Sequence, residues 1–248
     1  MIIKLEKGVS INYEVYGTGK RLLILHGWGD SLRAFDLVTE ALSKNFQLIL
    51  LDLPGFGQSS SLPRPFTLDD YAQTVEKFLT ALEINEVSVL GHSFGGAIAV
   101  KLAIFSNKVR RLVLEDSSGI RNKSLSIKLK IYIYKILKLI LSERYREKLR
   151  HILGSSDYRD AGVLRSTLVK IVSEDLQHVA SKIAIPTLMI WGRNDKETPI
   201  EQARIMKNEI KNSSLRIIEE AGHFPHLDKP EEFIKAVIEF LKEAQPSQ

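Results

Sequence analysis

Val87–Val100 reads VSVLGHSFGGAIAV, and the way this stretch folds decides the architecture of the chain. An apolar run from Val87 to Leu90 leads directly into Gly91-His92-Ser93-Phe94-Gly95, and small and apolar residues follow at helical spacing. The run reads as a buried strand and Phe94 to Phe105 as a helix. The G-x-S-x-G pattern therefore sits where a strand turns sharply into a helix. Such a turn lifts one side chain, Ser93, above the sheet edge on a strained backbone, and the residues two positions to either side must be small. Gly91 and Gly95 meet that demand, and Gly96 and Ala97 let the helix pack closely. The start of the helix adds positive potential beside the serine. A glycine-rich turn with an incidental serine would share the pattern but not its placement between strand and helix.

Working outward, the same rhythm recurs. INYEVYG (11–17) alternates like a half-buried strand, and RLLILHG (21–27) and FQLILLD (46–52) are continuous apolar runs like buried parallel strands. VRRLVLED (109–116), PTLMIWG (186–192) and SLRIIEE (214–220) continue the series. Between them, helical spacing covers Ser31 to Ser43 (with Leu32, Phe35, Leu37, Val38 and Leu42), Thr67 to Leu82, Ile200 to Ile210 and Pro230 to Ala244. Thr67 is placed to cap its helix, with acids in the first turn, and Phe78, Leu79 and Leu82 are expected to face inward. The tail AQPSQ (244–248) is expected to fray. Strands alternating with helices imply a mostly parallel sheet with helices on both faces.

From Ser118 to Ala180 the strand pattern lapses and only helical patterns remain. The expected organisation is a core domain of residues 1–117 and 181–248 interrupted by a helical cap at 118–180. Within the cap, KLKIYIYKILKLIL (128–141) gathers Lys128, Lys130, Lys135 and Lys138 on one half of a helix and Leu129, Tyr132, Ile133, Ile136, Leu139 and Ile140 on the other. Three readings stay open: a helix that buries its apolar half on the core, a lid whose apolar face also lines an acyl pocket, and a helix making peripheral lipid contact. A membrane span is excluded, since no run reaches about 18 uncharged residues.

Composition narrows the class further. The 248 residues are 44% hydrophobic and 26% charged, as in an ordinary globular protein. The chain holds no cysteine, so disulfides and thiolate metal sites are excluded and a cytoplasmic location is expected. MIIKLEKGVS lacks a basic region followed by a long apolar core, so no leader is expected. A net charge of +5 does not call for nucleic acid, and no zinc-ligand or RNA-binding spacing occurs. The charge is uneven: residues 121–180 hold 13 Lys or Arg against 6 Asp or Glu, a net of +7 that leaves −2 elsewhere. That excess could steer acidic substrates, an acidic carrier protein or anionic lipid, or simply be solvated.

A serine hydroxyl needs a base, usually His, and an acid to orient that His. On this architecture they follow in the order serine, acid, histidine. Asp195 lies just past PTLMIWG and His223 just past SLRIIEE, both at C-terminal strand ends, where open α/β sheets place their sites. Asp116, ending VRRLVLED, is the rival acid. Asp52 is expected to hold the loop DLPGFG. His26 reads as a structural loop residue, His92 as packed under the turn, and His226 as serving the loop of His223. His151 and His178 fall in the insertion without an expected partner.

HGWG, DLPGFGQS, GHSFGG, WGRND and AGHFPH, in that order and spanning nearly the whole chain, resemble motifs of the α/β-hydrolase fold superfamily of serine hydrolases. The resemblance implies an eight-stranded, mostly parallel sheet with an inserted helical cap. It implies Ser93 as nucleophile, His223 as base, Asp195 as its partner, and an oxyanion hole from the backbone N–H groups of Trp28 and Phe94. HGWG with DLPGFGQS also resembles the esterases that remove a methyl group from pimeloyl-acyl-carrier protein. Relatives that attack with aspartate are disfavoured because position 93 is serine. The expected activity is hydrolysis of carboxylic esters of small to medium apolar acyl groups through an acyl-enzyme, with no metal or organic cofactor, by a monomer or homodimer. Carbon–carbon bond hydrolysis, or hydrolysis of acyl thioesters or carrier-protein esters, by the same residues is the alternative. A non-catalytic binding protein is disfavoured by the intact set of three.

Overall fold

The computed structural model describes residues 1–120 and 162–243. Its centre is an eight-stranded sheet in the order β1-β2-β4-β3-β5-β6-β7-β8. The strands are β1 (Ile2–Lys4), β2 (Ser10–Tyr16), β3 (Arg21–Leu25), β4 (Gln47–Leu51), β5 (Val87–His92), β6 (Val109–Glu115), β7 (Thr187–Gly192) and β8 (Ser213–Ile218). β1 and β2 pair antiparallel, β2 joins β4 antiparallel, and β3 to β8 are parallel throughout. This is the expected α/β-hydrolase sheet. The strand not legible from pattern was β1, whose three residues are too short to alternate visibly.

The apolar runs split by parity into two cores, because successive side chains of a strand point to opposite faces. Leu23 and Leu25 of β3 and Ile49 and Leu51 of β4 face one cluster. That cluster is closed by α2 (Leu68–Ala81), α3 (Phe94–Phe105) and α6 (Ile200–Glu209). Leu22 and Ile24, with Leu48 and Leu50, face the other, closed by α1 (Asp36–Ser43) and α8 (Pro230–Lys242). Helices on both faces follow directly. α3 has apolar or small residues nearly all round and is buried accordingly from Phe94 to Val100.

Helix ends carry the expected chemistry, with some differences. Thr67 Oγ1 accepts from Asp70 N–H and the Asp70 carboxylate accepts from Thr67 N–H, a capping box at the start of α2. The helix expected over Ser31–Ser43 opens instead as a 3₁₀ turn at Leu32–Phe35, and Leu37 points outward. Leu82 ends α2 as its half-buried cap. A short helix, α7 (Pro225–Asp228), was not anticipated. Of the insertion, the structure describes a 3₁₀ turn at Gly162–Leu164, α4 (Arg165–Ser173) and α5 (Gln177–Ala180). The helix read at 128–141, His151, most of the expected cap and the tail 244–248 lie outside the described residues. No helix among the described residues is long and apolar enough to cross a membrane.

Candidate active site

β5 ends at His92 and α3 begins at Phe94, which leaves Ser93 alone at the turn with φ 49° and ψ −112°. A side chain in this left-handed region is strained, and the surroundings must hold it there. They do so through backbone. Ser93 N–H donates to the Glu115 carbonyl (2.9 Å), and the Ser93 carbonyl accepts from Ser118 N–H (3.0 Å). A Cβ at Gly91 would lie 2.4 Å from the Gly95 carbonyl oxygen, and one at Gly95 would lie 2.3 Å from that of Leu25. Neither backbone oxygen can yield, so glycine at both positions is a steric requirement.

The loops after β7 and β8 bring the other two expected residues to Ser93. His223 Nε2 lies 3.0 Å from Ser93 Oγ, and His223 Nδ1 lies 2.8 Å from Asp195 Oδ2. The three form one continuous hydrogen-bonded line. Asp195 is held by further donors: Glu197 N–H (2.7 Å) and Thr198 N–H (3.1 Å) at Oδ1, and the Thr198 hydroxyl (2.6 Å) at Oδ2. Burial works against its charge, but hydrogen bonds from His223, Asp116 and Thr198 outweigh it and hold the carboxyl well below the usual range. For His223, burial disfavours the imidazolium, yet the Asp195 hydrogen bond and charge, with Glu197 beyond them, raise its pKa overall.

Ser93 and His223 open into a pocket of about 200 Å³ lined by Gly27, Trp28, Asp30, His92, Glu197 and Phe224. Trp28 packs edge-on against Phe56 and Phe94, which gives the site an apolar wall. Among the described residues, no protein group accepts a hydrogen bond from Trp28 N–H or Phe94 N–H. Glu197 Oε2 stands 3.5 Å from His223 Nε2 on an exposed side chain.

A sequence profile of the alpha/beta hydrolase family matches residues 22–236. The chain belongs to the alpha/beta hydrolase family. Similar proteins include a pimeloyl-[acyl-carrier protein] methyl ester esterase from Nitrosomonas europaea, 30% identical over 249 residues, which span 91% of this chain and 97% of the relative. A 2-hydroxy-6-oxononadienedioate/2-hydroxy-6-oxononatrienedioate hydrolase from Burkholderia vietnamiensis is 26% identical over 267 residues, 94% of this chain and 91% of the relative. The solved esterase of Exiguobacterium antarcticum, 24% identical, superposes with a TM-score of 0.78 over 98% of this chain and 99% of its own, a likeness of fold.

Around the site of this alpha/beta hydrolase, the remaining candidates sort by their partners. Leu53 N–H donates to His26 Nε2 (2.9 Å), so the proton sits on Nδ1, which donates to the Gly27 carbonyl (2.7 Å). Burial lowers the His26 pKa, and the ring serves as a neutral brace between two loops. Asp52 accepts from Leu32 N–H, Gln58 N–H and the Asn12 amide, fixing the DLPGFG loop. His178 is exposed on α5. His92 does more than pack under the turn: it lines the pocket, and its Nε2 donates to the His223 carbonyl (2.8 Å). Burial pushes its pKa down to about 4, so it acts as a neutral donor. His226 N–H and Nδ1 both reach Glu115 Oε1, at 2.9 and 2.7 Å.

Thr198, Glu197 and Glu115 were not singled out from sequence. For Thr198 and Glu197 the only available signal was closeness to Asp195. For Glu115 it was a charged residue inside an apolar strand.

Proposed function

We propose that the protein is a serine hydrolase that cleaves carboxylic esters of small to medium apolar acyl groups through an acyl-enzyme. The observation that carries this reading is the unbroken line from Ser93 Oγ to His223 to Asp195, opening into a pocket beside the backbone N–H groups of Trp28 and Phe94, which meet no acceptor among the described residues. Ser93 Oγ attacks the ester carbonyl while His223 Nε2 takes its proton. Asp195 stabilises the imidazolium and fixes the tautomer with hydrogen on Nδ1. Trp28 N–H and Phe94 N–H receive the negative oxygen of the tetrahedral intermediate. His223 returns the proton to the leaving alcohol, and water then repeats the sequence on the acyl-Ser93.

The likeness to the dienedioate hydrolase favours a second reading, in which the same three residues hydrolyse a carbon–carbon bond. A series of p-nitrophenyl esters from acetate to palmitate separates the two. The ester reading expects a kcat/KM optimum at short or medium chains. Absence of turnover on every ester, with cleavage of a ring-fission dienoate, would replace it with the second.

Glu197 offers a check on His223 as base. Its carboxylate favours the imidazolium. Glu197→Gln should therefore lower the His223 pKa, keep the base neutral in more acidic solution, and move the acid limb of kcat/KM to lower pH. The displacement should shrink in high salt, because the side chain is exposed. An unmoved limb at low salt would show that the limb does not report His223.

A further inference from the structure

β6 ends at Glu115, and Asp116 follows it directly where the backbone leaves the extended conformation, so the two acids meet different partners. Glu115 meets His226, whereas a carboxylate oxygen of Asp116 lies within 4.8 Å of one of Asp195, and both aspartates are buried. An ionised carboxylate has no hydrogen to donate, and two buried carboxylates repel, so one of the pair must hold a proton.

The neighbouring donors decide which. Asp195 accepts from Glu197 N–H, Thr198 N–H, the Thr198 hydroxyl and His223 Nδ1. Asp116 accepts from Gly192 N–H (3.1 Å). The anion is therefore Asp195 and the acid is Asp116. The backbone is built around this contact. Asp116 is held at φ 40°, with its N–H on the Ile190 carbonyl (3.0 Å) and the Thr198 hydroxyl 3.1 Å from its own carbonyl.

The geometry points to Asp116 as a positioning residue: a neutral carboxylic acid whose O–H donates to Asp195 and restrains the basicity of the Asp195–His223 pair. This inference rests on the reading of Ser93, His223 and Asp195 as the hydrolytic centre. Burial, the hydrogen bond with Asp195 and the charge of Glu115 together push the Asp116 carboxyl up to about 11, so it stays protonated at neutral pH. A cation is the other device that could join these groups, since ligand atoms of Asp116, Asp195 and His223 lie within 4.8 Å of one another. His223 Nδ1, however, carries the hydrogen it gives to Asp195 and has no lone pair left for a metal. Asp116 faces Asp195 and Thr198 from the β7 loop, the Gly192 amide, and Glu115 on its own strand, with His223 beyond Asp195. His223 in turn faces Ser93, Glu197 and His92. Of these groups, His223 is the one whose titration the activity profile reads near neutrality.

The test compares wild type with Asp116→Asn and Asp116→Ala. Infrared difference spectra of wild type against Asp116→Asn at neutral pH should show the C=O stretch of a buried protonated carboxylic acid in wild type alone. Asn keeps a neutral N–H donor and tolerates positive φ. It should leave the acid limb of kcat/KM in place, with kcat/KM within about twofold of wild type. Ala removes the donor, so Asp195 becomes more basic and His223 titrates higher. The limb should move to higher pH, with kcat/KM in acidic buffer about tenfold lower. The His223 Nδ1 proton, followed by NMR, should show the same displacement without substrate.

A missing carboxylic-acid band would overturn the inference, as would equal limb shifts in Asn and Ala or an unmoved limb in Ala. So would a wild-type limb that moves on dialysis against EDTA and returns with Zn²⁺. Should wild type hydrolyse no ester while the band and the NMR titration behave as expected, the hydrolytic reading falls and the protonated Asp116 stands.

Discussion

Ser93→Ala is expected to lower kcat on the best p-nitrophenyl ester by about 10⁴- to 10⁶-fold, with KM nearly unchanged and the fold intact. The size follows from the chemistry. On the proposed mechanism no acyl-enzyme can form without Oγ, and only the proposed oxyanion donors and substrate binding remain to help a water molecule attack directly. The fold should survive because, among the described residues, the Ser93 side chain bonds only to His223 Nε2, whereas the turn is held by the backbone of Ser93. Ala and Ser pay a similar strain at φ 49°, so the melting temperature should stay within a few degrees. A fluorophosphonate probe gives the same answer by mass: one adduct on wild type, on the peptide containing Ser93, and none on Ser93→Ala. Turnover surviving in Ser93→Ala would remove the serine mechanism for esters and for carbon–carbon bonds together, since both readings start from this oxygen.

Residues under strong local constraint were the ones legible in the sequence. Gly91 and Gly95 could be read as steric necessities of a strand-to-helix turn, and the fold places backbone oxygens where their Cβ atoms would go. Thr67 and Asp70 announced a helix start through a pattern three residues long. Asp195 and His223 could be sought at the ends of their strands, because parallel strands deliver their C-terminal loops to one edge. What was not legible depends on contacts between distant segments. β1 has three residues and reads as a strand only once paired with β2. His92 looked like packing, and its contact with the His223 carbonyl spans 131 positions. The sequence offers Asp116 and Asp195 as alternatives for one role, whereas the fold buries them side by side, where they cannot both ionise freely. Nothing in either local sequence distinguishes those outcomes.

Glu115 shows how much a contact of that kind can carry, and Glu115→Ala should be the most destabilising single change near the site. Glu115 Oε1 takes two hydrogen bonds from His226, both side chains are wholly buried, and the His226 ring stacks on Phe35 at 4.5 Å. Burial opposes both charges. For Glu115 the His226 charge and hydrogen bonds prevail and lower its pKa, and for His226 the Glu115 charge and hydrogen bond prevail and raise it. Removing the carboxylate strands a buried imidazolium and an unpaired backbone N–H, a loss of about 3–5 kcal/mol. That corresponds to a fall in melting temperature of roughly 10 °C or more for a chain of this size.

Glu115→Gln keeps an acceptor and should lose less, and the pH dependence of its deficit separates charge from packing. The depressed Glu115 contributes stability above its unfolded pKa, about 4.3, and loses it as pH falls through the folded value. The elevated His226 contributes fully below its unfolded pKa, about 6.5, and loses it as pH rises through the folded value. The gap in melting temperature between wild type and Glu115→Gln should therefore be widest between about pH 4.3 and 6.5 and narrow on either side. His92, 5.4 Å away ring to ring, stays neutral over most of that window. A gap that does not vary with pH would mean that the pair is held as neutral groups. The same pair ties the loop carrying His223 to the end of β6, beside the residue that donates to Asp195, so kcat in Glu115→Gln should fall together with stability in that window.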